Sequence, residues 1–211
     1  MSKITAISGR VLYNSRGSKT IEVDVTTDGK YQGRVCAPSG ASVGKFEAVS
    51  FPNNSPEESL SLLNQNSDKF IGIDSSDLKQ VHDVIHSIDE TDNYAKIGGA
   101  CAFAITIAAT ESAAKVENKQ FFQMISGKSD LKFPFPLGNI LGGGAHAGPG
   151  TPDIQEILVA SIGAKTVRES IDTNLQVHKE LKKLILKNDP TLQMDVETKE
   201  DGLLNSTTKK H

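Results

Sequence analysis

The sequence lacks the features that mark nucleic-acid-binding, secreted and membrane-spanning proteins. Lys and Arg number 23 against 26 Asp and Glu, so the formal net charge is −3, and no basic cluster provides the positive surface that phosphate binding requires. The N-terminus has neither the apolar core nor the cleavage site of a secretory leader. The longest weakly polar stretch, residues 98–109, is too short to span a bilayer. We therefore expect a cytoplasmic protein with no nucleic-acid partner and no membrane span.

Cysteine is also scarce. The two cysteines, Cys36 and Cys101, lie far apart in the sequence and lack the neighbouring ligands of a zinc or redox motif. Both are predicted to be reduced, buried thiols, which suits the cytosol.

The first part of the chain has the pattern of an antiparallel sheet. Residues 4–11 and 20–27 are rich in Ile, Val and Thr, and apolar residues alternate with acidic ones in the second of these runs. Asp28-Gly29 is a hairpin signal, and a return strand follows over residues 31–37. This pattern predicts a meander of three strands.

The next part has the cap signals and apolar spacing of helices. The predicted helices are one that starts at Ser55-Pro56, one that follows Ser75 and Ser76 and runs through Ile85, an alanine-rich one over residues 98–115, and a short one that ends at Gly127. An antiparallel sheet followed by helices predicts an α+β domain over residues 1–128.

From residue 133 the pattern changes to strands and a long helix. A short apolar strand leads into a glycine-rich loop, and a second strand is predicted over residues 157–162. An amphipathic helix is predicted over residues 166–187, with an apolar stripe of Val167, Ile171, Leu175, His178, Leu181 and Ile185. On this stripe, His178 is predicted to be a hydrogen-bonded core residue rather than a ligand. Residues 133–190 thus predict the incomplete start of an α/β (TIM-like) barrel, since a whole barrel needs about 250 residues.

Three groups of residues have the composition of a functional site. Residues 38–44, Pro-Ser-Gly-Ala-Ser-Val-Gly, form a loop in which Ser42 offers a hydroxyl, although such loops are often simply turns. His146 follows three glycines, which allow a loop to move over a ligand, although a lone loop histidine is commonly just solvated. Gln155 and Glu156 precede an apolar strand, where partial burial suits a carboxylate to acid–base chemistry. The alternative is a surface pair at the end of a strand.

Four segments resemble, in order, the enolase family. They are residues 11–25, the Pro-Ser-Gly-Ala-Ser-x-Gly loop within 38–48, the Asp-x-Thr-x-Asn-x₄-Gly run within 88–98, and the Gly-Gly-x-His-Ala-Gly…Gln-Glu region within 139–156. The chain thus resembles the N-terminal portion of an archaeal-type enolase. Enolases are Mg²⁺-dependent lyases that interconvert 2-phosphoglycerate and phosphoenolpyruvate.

The resemblance implies a role for each candidate residue. Ser42 would bind the Mg²⁺ ion that arrives with the substrate, a small phosphorylated acid. His146 and Glu156 would be catalytic, and His146, Gln155 and Glu156 would contact the substrate. The full-length protein is expected to be a homodimer or a higher homo-oligomer.

Other positions carry the resemblance less well. Arg16 and Lys45 are weaker candidates, interpreted as a structural ion-pair partner and a solvated loop residue. Gly142 stands where the family has an asparagine, so one side-chain contact is lost. The spacing from His146 to Gln155 is one residue longer than usual.

Residues 191–211 do not continue the resemblance and are expected to form an aberrant, disordered tail. Residues 193–205 lack helical and strand periodicity, at the point where the family has a Gly-Asp-Glu-Gly-Gly strand that carries the general acid. Codons can be chosen for residues 193–205 that, when translated from the third base of the first codon, encode Asn-Gly-Arg-Gly-Asp-Glu-Gly-Gly. Only the third bases are a matter of choice, because the first bases that this shifted reading requires are set by the residues themselves. We therefore hypothesise a reading-frame shift just before Met194 and a truncated barrel, which leaves the 211-residue chain inactive alone.

Two other functions remain open beside the dehydration of 2-phosphoglycerate. The α+β domain could be a non-catalytic interaction or dimerisation module derived from an enolase. A racemase or cycloisomerase of the enolase superfamily is a further alternative, which the loop at 38–44 and the His-Ala-Gly…Gln-Glu region disfavour.

Overall fold

The computed structural model describes residues 2–40, 44–144 and 153–188. It divides into two compact units, the first ending at Asp130 and the second beginning at Leu131. Within the described ranges, no helix is long and apolar enough to cross a lipid bilayer. Ser42, His146 and the predicted tail over residues 191–211 lie outside these ranges.

The first unit opens with the predicted three-stranded antiparallel meander. The strands β1 (Ile4–Tyr13), β2 (Lys19–Thr27) and β3 (Tyr31–Cys36) lie side by side in that order. Asp28 and Gly29 have positive φ angles of 51° and 66°, the backbone that an Asp-Gly pair adopts in a tight hairpin. Alternate residues of a strand share a face, so Ile21, Val23 and Val25 are all fully buried on the side of the helices.

Four helices follow in the first unit. They are α1 (Pro56–Gln65), α2 (Leu78–Asp89), α3 (Gly99–Val116) and α4 (Phe121–Ser126), with short 3₁₀ turns at Pro52–Asn54 and Ser67–Phe70. The Ser55 hydroxyl accepts a 3.2 Å hydrogen bond from the Glu58 N–H, so the predicted N-cap of α1 is confirmed. Gly127 ends α4 with a φ of 64°, also as predicted.

Helix α2 follows Ser75 and Ser76, as predicted. Asp77 caps the helix, and its carboxylate accepts hydrogen bonds of 3.0 and 3.2 Å from N–H groups of the first turn. The Ser75 hydroxyl is instead buried and donates to a main-chain carbonyl near the N-terminus, at 3.1 Å. Serine and aspartate are both favoured caps, so only the tertiary contact of Ser75 decides between them. The helix also runs past its predicted end, to Asp89.

Helix α3 packs against the sheet at very short range. A Cβ atom on Gly33 of β3 would lie 1.9 Å from the Ala108 carbonyl oxygen, so only glycine fits there. Around this contact the first unit builds its core, and the largest fully buried apolar side chains are Phe70, Ile4, Ile21, Leu63, Ile85, Ile97, Ile105, Val23, Val25 and Val81.

The two cysteines have different environments. Cys101 on α3 is buried, as predicted, and burial raises the pKa of its thiol to about 12. The prediction for Cys36 is wrong, because that thiol is exposed. Strand alternation places Cys36 on the same outer face as Arg34, where the thiol donates to Glu22 Oε2 at 3.3 Å.

The second unit is a hairpin with a long helix. Strands β4 (Leu137–Gly142) and β5 (Glu156–Ala160) pair antiparallel, and α5 (Val167–Asn188) contacts both. A complete barrel has eight strands, so this unit is the partial barrel that the sequence predicts. Strand β5 ends at Ala160, two residues before its predicted end.

The predicted apolar stripe of α5 is partly wrong. Ile171 and Leu175 are 44% and 60% exposed, whereas Ser170 and Asn174 are buried. Helix α5 approaches β4 closely at this point, since a Cβ atom added at Gly138 would lie 3.3 Å from Asn174 Cβ, so Asn174 rather than Ile171 or Leu175 faces the strand. His178 is only half-buried, so it is not the core residue that the stripe predicts.

Candidate functional site

Both ends of the small-residue loop are held by hydrogen bonds. On the first side, the Arg16 guanidinium donates to the Ser39 carbonyl oxygen. On the second side, the Gly44 N–H donates to Glu47 Oε1 at 2.8 Å. Arg16 therefore bonds the main chain, and no ion pair of Arg16 occurs among the described residues, contrary to its predicted role. Lys45 is exposed, as predicted, with its ammonium group 5.6 Å from the Phe46 ring centre.

Arg16 itself is carried by a braced turn. Asn14 Oδ1 accepts hydrogen bonds from the N–H groups of Arg16 (2.9 Å) and Ser18 (3.0 Å). Gly17 supplies the positive φ of 73° that closes the turn. The guanidinium group is therefore presented from a fixed backbone.

The chain that returns from the loop is anchored to the entry of α3. The Val49 N–H donates to the Asn93 carbonyl at 2.9 Å, and the Gly99 N–H donates to the Val49 carbonyl at 2.7 Å. Gly98, with a φ of 86°, lies so close that an added Cβ would be 2.6 Å from the Ser50 carbonyl oxygen. The Asp-x-Thr-x-Asn…Gly run thus supports the loop through the main chain.

Asp89 organises that run from within. It is fully buried, and its oxygens accept hydrogen bonds from the N–H groups of Thr91 (3.0 Å), Lys96 (3.0 Å) and Ile97 (2.7 Å), as well as from the Thr91 hydroxyl. Burial raises the pKa of this carboxyl, but the hydrogen bonds, led by that of Ile97, outweigh burial and bring the pKa below its ordinary value.

Open space lies on two sides of the ends of the small-residue loop. Cavities of about 480 and 430 Å³ share Pro38, Gly40, Glu47 and Ser50 as lining residues. The larger one also reaches the imidazole of His82, which lies 3.2 Å from the Thr106 hydroxyl. The ends of the small-residue loop are therefore bordered by open space rather than packed against other side chains.

In the second unit, Gln155 and Glu156 lie beside the glycine-rich loop. Gly142, the last residue of β4, pairs with Glu156, and the Gly143 N–H donates to the Gln155 carbonyl at 2.8 Å. Gly144 continues with a φ of 57°. The predicted pair therefore lies at the carboxyl end of β4, where the chain enters the segment of His146.

Glu156 also lines a cavity of about 460 Å³. Glu156, Asn139 and His178 are half-buried there, and Asn174 is buried. Asn174 Nδ2 donates to the Pro136 carbonyl at 2.9 Å. The side-chain oxygens of Asn139 and Asn174 are buried and have no hydrogen-bond partner within residues 2–40, 44–144 and 153–188.

The structure thus brings together part of the predicted site. Gln155 and Glu156 lie next to the glycines that precede His146, whereas Ser42 and His146 are outside the described ranges. Glu47, which accepts a hydrogen bond from the Gly44 N–H three residues earlier, was not among the predicted site residues.

The order of elements along the chain, a small α+β unit followed by a hairpin with polar residues at its strand ends, is typical of one class of proteins. This class places an α+β domain before an α/β barrel and builds its site at the carboxyl ends of the barrel strands.

Comparisons with known proteins identify the family within this class. The model of the enolase N-terminal domain matches residues 4–125, and that of the enolase C-terminal TIM barrel domain matches residues 130–205. Enolases of Methanosphaera stadtmanae and Methanothermobacter thermautotrophicus are each 39% identical over 191 residues, which is 90% of this chain and 46% of each relative. The chain belongs to the enolase family. It spans about half the length of the curated relatives that it matches.

Proposed function

We propose that this chain supplies the N-terminal half of an enzyme that reversibly dehydrates 2-phospho-D-glycerate to phosphoenolpyruvate. This is a carbon–oxygen lyase step of glycolysis and gluconeogenesis. The register of Gly142 with Glu156 carries the proposal, because it sets Gln155 and Glu156 at the carboxyl end of a barrel strand, where barrel enzymes build their sites. The relatives reported above are named enolase, which favours dehydration over racemisation or cycloisomerisation.

The proposed reaction removes a proton next to a carboxylate and expels hydroxide from the neighbouring carbon. Glu156 is proposed to assist the departure of the hydroxide as part of an acid pair. Its position suits that task, because the register of β4 and β5 places it beside the glycines that lead toward His146. Gln155 is proposed to contact the substrate, and His146 to lie near its phosphate and departing hydroxyl.

Magnesium is the proposed cofactor. The hydroxyl and carbonyl oxygens of Ser42 are hard donors of the type that Mg²⁺ prefers, so this residue fits the ion that accompanies the substrate. When bound, the ion neutralises charge that develops on the substrate carboxylate. Among the described residues, no three His, Cys, Asp or Glu side chains form a group that could hold a metal. Further ligands are therefore proposed to come from the part of the enzyme that this chain does not span.

The 211-residue chain is proposed to be inactive by itself. The general acid, the base lysine and the carboxylate ligands of a second, tightly bound Mg²⁺ ion, distinct from the ion at Ser42, are proposed to belong to the remainder of the barrel. The complete enzyme is proposed to form a homodimer or a higher homo-oligomer.

A second candidate function is that of a non-catalytic interaction or dimerisation module. The observation in its favour is that the first unit has its own sheet, helices and buried core. Such a unit could bind a partner without the barrel.

A chimera tests the main proposal. Residues 1–190 are joined to the C-terminal part of the Methanosphaera stadtmanae enolase, and phosphoenolpyruvate formation is followed with Mg²⁺ and after chelation. We expect turnover by the chimera with Mg²⁺ only, and none by the 211-residue chain. A chimera that is folded by circular dichroism and size, yet inactive beside the active relative, would overturn the proposal and favour the module.

A further inference from the structure

We propose that His82 and His86 form a binding site for a transition-metal ion such as Zn²⁺ on the exposed side of α2. The two histidines are four residues apart on this helix, a spacing that puts side chains on one face with Cβ atoms about 5–6 Å apart. Both residues are exposed. The inference does not depend on the proposed function.

The contacts of His82 decide which of its ring nitrogens can bind a metal. Its Nε2 lies 3.2 Å from the Thr106 hydroxyl. That hydroxyl donates its single hydrogen to the Ala102 carbonyl at 2.8 Å, so it can only accept from the ring. Nε2 therefore carries the ring hydrogen and donates it to Thr106, and Nδ1 keeps the lone pair that a metal ion needs.

Metal-binding histidines have this arrangement. A histidine that binds a metal through one ring nitrogen donates the hydrogen of the other nitrogen to a nearby acceptor, which fixes the tautomer and the orientation of the ring. For His82 the acceptor is the hydroxyl oxygen of Thr106, which a second helix, α3, supplies. The imidazole of His82 is thus oriented before a metal ion arrives.

Tyr94 lies beside both imidazoles. Its hydroxyl is 3.5 Å from His86 Nε2, and the two rings are 5.4 Å apart, centre to centre. Tyr94 also lines the cavity of about 480 Å³ that reaches His82. It has a positive φ of 58°, which is uncommon for a residue other than glycine. A neighbouring group therefore contacts the second imidazole as well as the first.

The two imidazoles select the class of metal. Imidazole nitrogen suits Zn²⁺, Cu²⁺ and Ni²⁺, whereas Mg²⁺ prefers oxygen ligands. Within the part of the chain that the structure describes, no third His, Cys, Asp or Glu side chain joins the pair in a metal-binding group. Two protein ligands leave coordination positions to water, so we expect reversible binding that is weaker than in a closed four-ligand zinc site.

A Zn²⁺ titration of the 211-residue chain tests the inference. The imidazole resonances are followed by NMR in the parent, His82→Ala, His86→Ala and His178→Ala, all with Cys36→Ser, because the exposed Cys36 thiol can also bind zinc. His178 is the matched control, since it is a helical histidine without a second one four residues away. We expect Zn²⁺ to shift the resonances of His82 and His86 together in the parent and in His178→Ala. Either alanine variant of the pair should lose this binding, and millimolar Mg²⁺ should not compete.

Thr106→Val tests the orienting role of the threonine. Valine keeps the shape of the side chain but cannot accept the ring hydrogen of His82, so we expect Zn²⁺ to bind about tenfold more weakly. Thr110→Val is the control, because Thr110 donates to a main-chain carbonyl of α3 in the same way, at 2.8 Å. The nitrogen chemical shifts of the neutral His82 ring should show the Nε2–H tautomer in the parent and a mixture of tautomers in Thr106→Val.

Two results would overturn the inference. One is equal Zn²⁺ affinity in the parent, His82→Ala and His86→Ala, and the other is a Zn²⁺ response confined to other histidines. Because both residues are exposed, the metal-free variants should keep the thermal midpoint of the parent, so a loss of binding cannot be attributed to unfolding. Equal affinity in Thr106→Val and the parent would contradict the role given to Thr106.

Discussion

At the scale of single residues, Asp89 is the carboxylate on which the entry to α3 depends. Both of its oxygens face donors: Oδ1 accepts from Thr91, and Oδ2 accepts from the N–H groups of Lys96 and Ile97. An asparagine would turn its NH₂ group toward one of these donor sets. The charged form of Asp89 is therefore the form that the fold selects.

We expect Asp89→Asn to lower the free energy of unfolding by about 2–4 kcal/mol at neutral pH, as two acceptor sites are exchanged for one. Because the pKa of Asp89 lies below its ordinary value in the folded state, its contribution is complete above the unfolded pKa of about 4. The contribution is lost as pH falls through the folded value. Urea unfolding of the parent and the variant over this range should show the difference shrinking in acid.

Asp83→Asn is the matched control for this experiment. Asp83 is an exposed carboxylate on α2 that pairs with Lys79, and such surface pairs contribute about 1 kcal/mol or less. A difference between parent and Asp89→Asn that stays constant with pH would contradict the role given to the charge.

The residues of the candidate site differ in how far the sequence reveals them. Ser42 and His146 were proposed from short motifs, and those proposals remain predictions. Gln155 and Glu156 were proposed in the same way, and the structure adds their position at the end of β4.

Asp89 belongs to the Asp-x-Thr-x-Asn run that the sequence indicates, but its hydrogen bonds to the N–H groups of Lys96 and Ile97 appear only in the folded chain. Glu47 was not proposed, and its bond to Gly44 is likewise seen only in the structure.

At the scale of elements, the contact between α3 and the sheet determines how the first unit packs. Gly33 meets the main chain of α3 so closely that a methyl group has no place, since the nearest atom is a carbonyl oxygen that cannot swing away. We expect Gly33→Ala to destabilise the first unit by about 3 kcal/mol or more, because the helix must move off the sheet. Thermal unfolding followed by circular dichroism measures this.

Gly163→Ala serves as the control, because nothing lies within 4 Å of a Cβ added at Gly163. We expect its midpoint to match that of the parent. Equal stability of Gly33→Ala and the parent would show that the close packing of α3 is not required.

Secondary structure was predictable where local chemistry alone decides it. The Asp28-Gly29 turn fixes the pairing of β2 with β3, and Ser55 caps α1 as its sequence indicates. The side of α5 that packs against the strands was not predictable, because hydrophobic spacing indicates that Ile171 and Leu175, rather than Asn174, are buried. Asn174 faces β4 instead, where a Cβ atom added at Gly138 would lie 3.3 Å from the Asn174 side chain.

At the scale of the whole molecule, the two units differ in how well they bury their apolar residues. The core cluster lies within the first unit, whereas most exposed large apolar side chains belong to the second, with Phe133 and Ile162 at 80% and 75% exposure. The second unit also holds three of the buried polar atoms that lack partners within the described ranges, in Asn139, Ser170 and Asn174. The first unit should therefore carry most of the stability.

We expect residues 1–130 alone to fold and to keep the thermal midpoint of the main transition of the 211-residue chain. The physical reason is that the fragment retains the whole buried core. Circular dichroism and amide exchange of the fragment check this. An unfolded fragment would show that the first unit depends on the second.

The frame-shift hypothesis predicts a single insertion or deletion in the gene just before the codon of Met194. Sequencing that stretch from source material, with the intact mass of the native protein, should reveal a longer product. Its sequence should continue with Gly-Asp-Glu-Gly-Gly after the corrected position. An unbroken frame and a mass equal to that of the 211 residues would refute the hypothesis.

The central claim is that Ser42, His146 and Glu156 surround one phosphorylated acid at the end of the first barrel strand. A crystal structure of the chimera with Mg²⁺ and 2-phosphoglycerate measures this most directly. The account predicts the Ser42 hydroxyl on a magnesium ion that also holds the substrate, with His146 and Glu156 within hydrogen-bonding distance of that same molecule. A substrate bound elsewhere, or these three side chains on surfaces that share no ligand, would contradict it.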